Sequence, residues 1–168
     1  STGACHAPHH VPKEWADRYK GTFDAGWDAV RDEIFERQKA QGMIPAHSEL
    51  PPRHEEIPAW EDMPDEMKPI LARQMEVYAG FLEHTDYHIG RVIDAIEEMG
   101  ALDNTLIYYI LGDNGASSEG TMNGPFHELA NFNRMASFAP PDFLASVIND
   151  FRSPAPYTHS PVRWPTPL

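Results

Sequence analysis

The clearest periodic pattern of apolar and polar positions runs from Glu66 to Met99, where apolar residues recur at steps of three and four. This spacing puts them on one face of a helix and predicts a single long amphipathic helix, roughly 50 Å in length at about 1.5 Å per residue. Asp65 is placed to cap the helix, Pro69 falls in the first turn, and Gly100 provides a left-handed stop. The apolar positions are Met67, Ile70, Leu71, Met75, Tyr78, Phe81, Leu82, Ile89, Val92, Ile93 and Ile96.

Two shorter stretches carry a weaker helical pattern. In residues 28–41, Val30, Ile34 and Phe35 lie among charged residues, with Asp28 as the expected N-cap and Gly42 as the stop. The stretch from Pro141 to Phe151 also spaces its apolar residues as a short helix would.

The strand signal is the segment from Thr105 to Leu111, which is rich in β-branched and aromatic residues and apolar on both faces. Such a run is typical of a central parallel strand with a layer on each side. A helix followed by a buried strand is half of a βαβ unit, so the pattern predicts an α/β fold with the long helix packed on a mainly parallel sheet. One strand does not make a sheet, and both chain ends look cut, so we expect residues 1–168 to be a single partial domain.

Composition and charge exclude several classes of protein. The 168 residues are 41% apolar, which is enough for one core, and the formal charge of −13 argues against a nucleic-acid partner because phosphates require a basic surface. No apolar run approaches the ~20 residues of a membrane-spanning helix, so we expect a soluble protein. Cys5 is the single cysteine and has no partner for an internal disulfide.

Asp113 and Asn114 lie near the start of a glycine-rich polar loop that begins at Gly112, immediately after the predicted strand. In an α/β protein this is the carboxyl edge of the sheet, where ligand sites gather. A carboxylate and an amide oxygen suit a hard divalent cation such as Ca²⁺ or Mg²⁺. The residues alone leave a second interpretation open, since Asp-Asn-Gly is also ordinary turn chemistry.

Histidines form two further candidate sites. His6, His9 and His10 lie in a proline-flanked segment and suit either a transition metal or an anion, although a solvated polar terminus fits the pattern equally well. His84 and His88 are one helical turn apart, but the glutamate of a His-Glu-x-x-His motif is absent, which favours a polar helix face.

Several motifs taken together resemble the middle section of a type I sulfatase, closest in pattern to the bacterial arylsulfatases of the alkaline-phosphatase superfamily. The resemblance is firm from His6 to Gly120 and looser afterwards. The motifs, in the family's order and spacing, are His6-Ala7-Pro8 with Pro12, Tyr19-Lys20-Gly21-Thr22-Phe23-Asp24, Met75-Glu76-Val77-Tyr78-Ala79, Ile89-Gly90-Arg91-Val92, Leu102-Asp103-Asn104-Thr105 and Asp113-Asn114-Gly115-Ala116.

The resemblance implies roles for three residues. Asp113 and Asn114 fall on two of the family's calcium or magnesium ligands, and His6 falls on the catalytic histidine that hydrogen-bonds the sulfate group. His9 and His10 match no active-site position and are expected to be flanking polar residues. The Cys/Ser-x-Pro-x-Arg motif that supplies the family's formylglycine nucleophile is not present in this chain.

The expected function is therefore a segment of a sulfuric ester hydrolase that contributes half of a metal site and a sulfate-binding histidine, and that is inactive as the isolated 168 residues. Its expected partners are a sulfate ester in the complete enzyme and complementing sulfatase segments or a second copy of the chain. Two alternatives stay open: a non-catalytic binding or dimerising module derived from a sulfatase, and a related phosphoesterase or phosphonate hydrolase. The sequence does not decide whether the protein is in the bacterial cytoplasm, in the periplasm or secreted.

Overall fold

The computed structural model describes residues 6–110, 121–122, 124–127, 129–130, 133–135 and 140–154. The α-helices whose bounds lie within these ranges are α1 (Lys13–Ala16), α2 (Gly26–Ala40), α3 (Lys68–Glu98) and α4 (Pro141–Ser146). Single 3₁₀ turns cover Asp17–Tyr19, Leu102–Asn104 and Ile148–Asp150.

The long helix predicted from the periodicity is confirmed as α3, which is continuous over 31 residues. Pro69 lies in its first turn, and Gly100 follows its end with a φ of +66°, as expected for a left-handed stop. The predicted cap at Asp65 is wrong, because no side chain caps the helix. The Asp65 carboxylate instead accepts a hydrogen bond from Lys68 Nζ at 2.9 Å.

Helix α2 begins two residues earlier than predicted and ends before Gly42, whose φ of +71° confirms it as the stop. Asp28 lies inside the first turn rather than at the cap. Its carboxylate accepts hydrogen bonds from the Trp60 backbone N–H at 2.8 Å and from Arg53 Nη1 at 2.6 Å. Asp28 therefore ties α2 to the irregular segment that leads into α3.

The core lies around the first half of α3. Ile70 and Leu71 are fully buried there, whereas most residues of the helix beyond Gly80 are partly or fully exposed. Met63, Met67 and Met75 are buried among them, as expected of core residues. The apolar residues that complete this core are Val11, Ala16, Phe23, Trp27, Val30, Ala72, Val77, Tyr78, Leu144 and Phe151.

Helix α1 packs on α3 at a glycine. A Cβ added at Gly80 would lie 2.7 Å from the Ala16 Cα and 2.7 Å from the Trp15 carbonyl oxygen. Real side chains do not approach a backbone so closely, so only glycine permits this contact. The contact brings the N-terminal segment against the middle of α3.

A buried carboxylate reinforces the same junction. Glu76 accepts a hydrogen bond from the Gly21 backbone N–H at 2.7 Å and another from Arg73 Nη1 at 2.6 Å. Arg73 Nη2 also donates to Asp17 at 2.9 Å. The buried charge of Glu76 is thus compensated by hydrogen bonds and by an opposite charge, which a buried ion requires. Hydrogen bonds from Lys13 and Arg73 hold the pKa of Asp17 below its usual value, although partial burial opposes them.

The predicted α/β class, with the long helix packed on a mainly parallel sheet, is wrong for the part of the chain that the structure describes, which is helical and contains no β-strand. Residues 105–110 follow the 3₁₀ turn without pairing with another strand, and their large apolar side chains are 41–87% exposed. A strand needs neighbours to satisfy its backbone donors and acceptors, and the described residues provide none.

The predicted helix at 141–151 is confirmed in part, as α4 followed by the 3₁₀ turn Ile148–Asp150. Leu144 and Phe151 anchor this region in the core. Among the described helices, none is both long enough and apolar enough to cross a bilayer.

Replacing Gly80 by Ala is expected to lower the free energy of unfolding by about 1–3 kcal/mol, because the new methyl group must push α1 away from α3. Gly90 provides a matched control on the same helix, since nothing lies within 4 Å of a Cβ added there. Gly90→Ala should be neutral or stabilising by about 0.5–1 kcal/mol. Urea unfolding monitored by circular dichroism measures both, and equal effects would contradict the close packing at Gly80.

Candidate functional site

His6 lies at the start of a segment that is fixed to the body of the protein a few residues later. Val11 is buried, and its backbone N–H donates to the Arg152 carbonyl at 3.1 Å. The His9 ring packs between Tyr78 and Phe81 of α3, with centroid distances of 5.0 and 5.5 Å. His6 itself is exposed, so its imidazole is accessible three residues before this anchor.

The prediction that His9 is a flanking polar residue is wrong. Its side chain is only 1% exposed and belongs to the core side of the segment. His9 and Val11 are buried and their neighbours are less so, because an extended segment points every second side chain to the same side. Its role in the described structure is to anchor the segment that carries His6.

The second segment of interest, residues 105–110, is attached to the same helix. The Tyr109 hydroxyl donates a hydrogen bond to Asp86 Oδ1 at 3.1 Å. This bond raises the pKa of Tyr109 above its usual value, with smaller contributions from burial and the Asp86 charge. The predicted metal ligands Asp113 and Asn114 lie just beyond this segment, outside the described residues.

Both segments attach to one stretch of α3. Their contacts fall between Tyr78 and Asp86, a distance of about 12 Å along the helix axis at about 1.5 Å per residue. Helix α3 therefore holds both the His6 segment and residues 105–110, which lie shortly before Asp113 in the chain. The periodicity of the sequence could not have predicted this shared attachment to α3, because it places Tyr78 in the core and Asp86 on the surface.

An apolar cleft of about 810 Å³ lies between α2, α3 and residues 105–110. Its apolar lining includes Met75, Leu82, Ile89, Tyr108 and Ile110. Arg37, Glu83 and Asp86 supply charges at its border. In this cleft the apolar face of α3 is exposed. The periodic apolar residues of α3 had predicted that a sheet would cover this face.

The described residues do not by themselves complete a metal site. Within these ranges, no group of three or more histidine, cysteine, aspartate or glutamate side chains is arranged to hold an ion. Any site that includes Asp113 and Asn114 consequently draws on residues beyond those described.

Comparison with known proteins decides the family. The sulfatase family model matches residues 1–144. The chain belongs to the sulfatase family. The family is generally metal-dependent.

Individual sulfatases agree with this assignment. An uncharacterized sulfatase of Schizosaccharomyces pombe is 39% identical over 114 residues, which are 67% of this chain and 20% of that protein. The arylsulfatase of Klebsiella aerogenes is 35% identical over 115 residues, which are 68% of this chain and 24% of that enzyme. The chain thus spans a fifth to a quarter of the length of these relatives.

Asp86→Asn is expected to lower the pKa of Tyr109 toward its usual value of about 10, because an amide oxygen accepts a weaker hydrogen bond than a carboxylate and carries no negative charge. In wild type the pKa of Tyr109 is raised in the folded state, so the Tyr109–Asp86 hydrogen bond contributes its full stabilisation at pH values below the usual pKa of tyrosine. This stabilisation is lost as the pH rises through the raised pKa. Titration of ¹³Cζ-labelled tyrosine by NMR measures this shift, with Tyr109→Phe assigning the signal. An unchanged Tyr109 titration in Asp86→Asn would contradict the contact.

Proposed function

We propose that this chain is a segment of a sulfuric ester hydrolase of arylsulfatase type, in which Asp113 and Asn114 bind a divalent cation and His6 contacts the sulfate group of the substrate. The observation that carries the proposal is the family match over residues 1–144, which includes all three residues. The anchoring of both relevant segments on α3 supports it.

The donor set fits the proposed ion. One carboxylate and one amide oxygen at adjacent positions are ligands for Ca²⁺ or Mg²⁺, whereas softer metals prefer nitrogen or sulfur. Two such ligands leave most of the coordination shell to be filled from elsewhere in a complete sulfatase. The cation, when bound, supplies positive charge that stabilises the negative charge developing on the transferred group.

His6 is suited to the second role because its imidazole is exposed while the neighbouring chain is held fixed. Burial of His9 and Val11 limits the motion of the segment, so the His6 side chain is presented from an ordered support. An imidazole N–H in this position donates a hydrogen bond to a sulfate oxygen or a proton to the leaving oxygen. The net charge of the chain, −13, repels an anionic substrate, so hydrogen-bond donors close to the substrate must offset this repulsion.

A chimera tests the proposal in a complete enzyme. Residues 1–144 replace the homologous stretch of the Klebsiella aerogenes arylsulfatase, and hydrolysis of 4-nitrophenyl sulfate is measured. Asp113→Ala and His6→Gln are each expected to lower kcat/KM by about 10²-fold or more, since they remove a metal ligand and a polar donor to the reacting group.

The controls are Asp94→Ala, an exposed carboxylate on α3, and His47→Gln, an exposed histidine in the segment after α2. Neither should change kcat/KM by more than about twofold, as is usual for surface substitutions. An active chimera in which Asp113→Ala or His6→Gln behaves like its control would refute the corresponding role. A folded chimera without activity would contradict the equivalence of the two segments.

The isolated chain is expected to bind Ca²⁺ weakly and to have no sulfatase activity, because the nucleophile motif is absent from it and two ligands form only part of a site. Calorimetric titration with CaCl₂ measures the affinity in wild type and in Asp113→Ala, with Asp94→Ala as the matched control. Equal affinity in wild type and Asp113→Ala, or no binding in either, would count against the metal assignment.

A further inference from the structure

The side of α3 that faces away from the cleft carries two histidines whose ring nitrogens already lie within chelating distance. The Nε2 atoms of His84 and His88 are 3.0 Å apart, and the rings meet edge to face with a centroid distance of 4.3 Å. Both side chains are half-buried. At 100° per residue, Leu82 and Ile89 of the cleft fall on roughly the opposite side of the helix.

Aromatic neighbours restrict the orientation of the pair. The Trp15 ring meets His84 edge to face at 5.2 Å, and Tyr87 meets His88 in the same way at 5.2 Å. Trp15 and Tyr87 are in turn 5.3 Å apart. The two imidazoles are therefore held near one another before any ligand binds, which lowers the entropic cost of chelation.

The hydrogen bonds fix the protonation state of the pair. Arg91 Nη1 lies 3.0 Å from His88 Nδ1, and because arginine only donates, this nitrogen is the acceptor. His88 then carries its proton on Nε2 and donates to His84 Nε2. In this arrangement the lone pair of His84 is on Nε2 and that of His88 is on Nδ1, so a change of tautomer at His88 makes both Nε2 atoms available to one metal ion.

The ligand type selects a class of metal. The two nitrogens are 3.0 Å apart, which is close enough for one ion to bind both with metal–nitrogen bonds of about 2.0–2.1 Å. Imidazole nitrogen suits Zn²⁺, Ni²⁺ and Cu²⁺, and among the divalent first-row metals Cu²⁺ binds such ligands most tightly.

We propose that His84 and His88 form a bidentate site for Cu²⁺, with water completing the coordination. Binding moves the His88 proton from Nε2 to Nδ1 by exchange with solvent, so no net proton is released. Arg91 must then give up its bond to Nδ1, which its exposed position permits. The Glu14 carboxylate, whose charge already acts on His84, favours a cation there. This site is separate from the proposed sulfatase site, which uses oxygen ligands.

Titration of the whole chain with CuCl₂ in a weakly coordinating buffer tests the proposal. Cu²⁺ should quench the Trp15 fluorescence, and the electron paramagnetic resonance spectrum should show coordinated imidazole nitrogen. His84→Gln and His88→Gln should each weaken this binding about tenfold or more. Arg91→Ala should tighten it several-fold, because the competing hydrogen bond and a positive charge are both removed.

Histidines elsewhere in the chain provide the matched control. His6→Gln combined with His10→Gln should leave the Trp15 quenching unchanged, and Trp15→Phe should remove the quenching while keeping the resonance signal. Excess CaCl₂ should not displace Cu²⁺, so failure of the calcium assignment would not affect this result. Equal Cu²⁺ affinity in a folded His84→Gln/His88→Gln variant would overturn the proposal, as would weaker binding in Arg91→Ala.

Discussion

The close packing of α1 against Gly80 of α3 is the contact on which the arrangement of this chain depends. It allows the backbone at Ala16 to lie directly on the helix, which no residue with a side chain would permit. Once α1 is there, Asp17 reaches Arg73, and Glu76 reaches the Gly21 backbone. The close contact at Gly80 thus brings together the ionic cluster of Asp17, Arg73 and Glu76. The contact and the cluster together orient the N-terminal segment.

The two halves of α3 have different roles because they have different surroundings. The first half is buried by α1, α2 and the region around α4, and it supplies most of the core. The second half keeps an exposed apolar face next to residues 105–110, whose large side chains are also exposed. The predicted association with complementing sulfatase segments or with a second copy of the chain would use these two exposed apolar surfaces. That association stays a prediction. Exposed apolar surface of this kind commonly marks an interface.

Two kinds of metal chemistry can coexist on this chain because the ligand types differ. Asp113 and Asn114 offer oxygen atoms, which favour hard ions such as Ca²⁺. His84 and His88 offer imidazole nitrogens on the opposite side of α3 from the cleft, which favour transition-metal ions such as Cu²⁺. Ligand softness, rather than net charge alone, therefore separates the two proposed sites.

The sequence by itself determined the features that depend on local physics. The three-and-four spacing of Ile70, Leu71 and their neighbours gave α3, and the backbone freedom of Gly42 and Gly100 ended two helices, because helix periodicity and left-handed stops act within a few residues. The linked motifs also sufficed to indicate the sulfatase family. Only the tertiary structure decided that His9 is buried, that Asp28 binds Trp60 instead of capping α2, and that residues 105–110 pair with no strand among the residues that the structure describes. Each of these depends on residues distant in sequence, and a strand above all becomes one only when another segment satisfies its backbone hydrogen bonds.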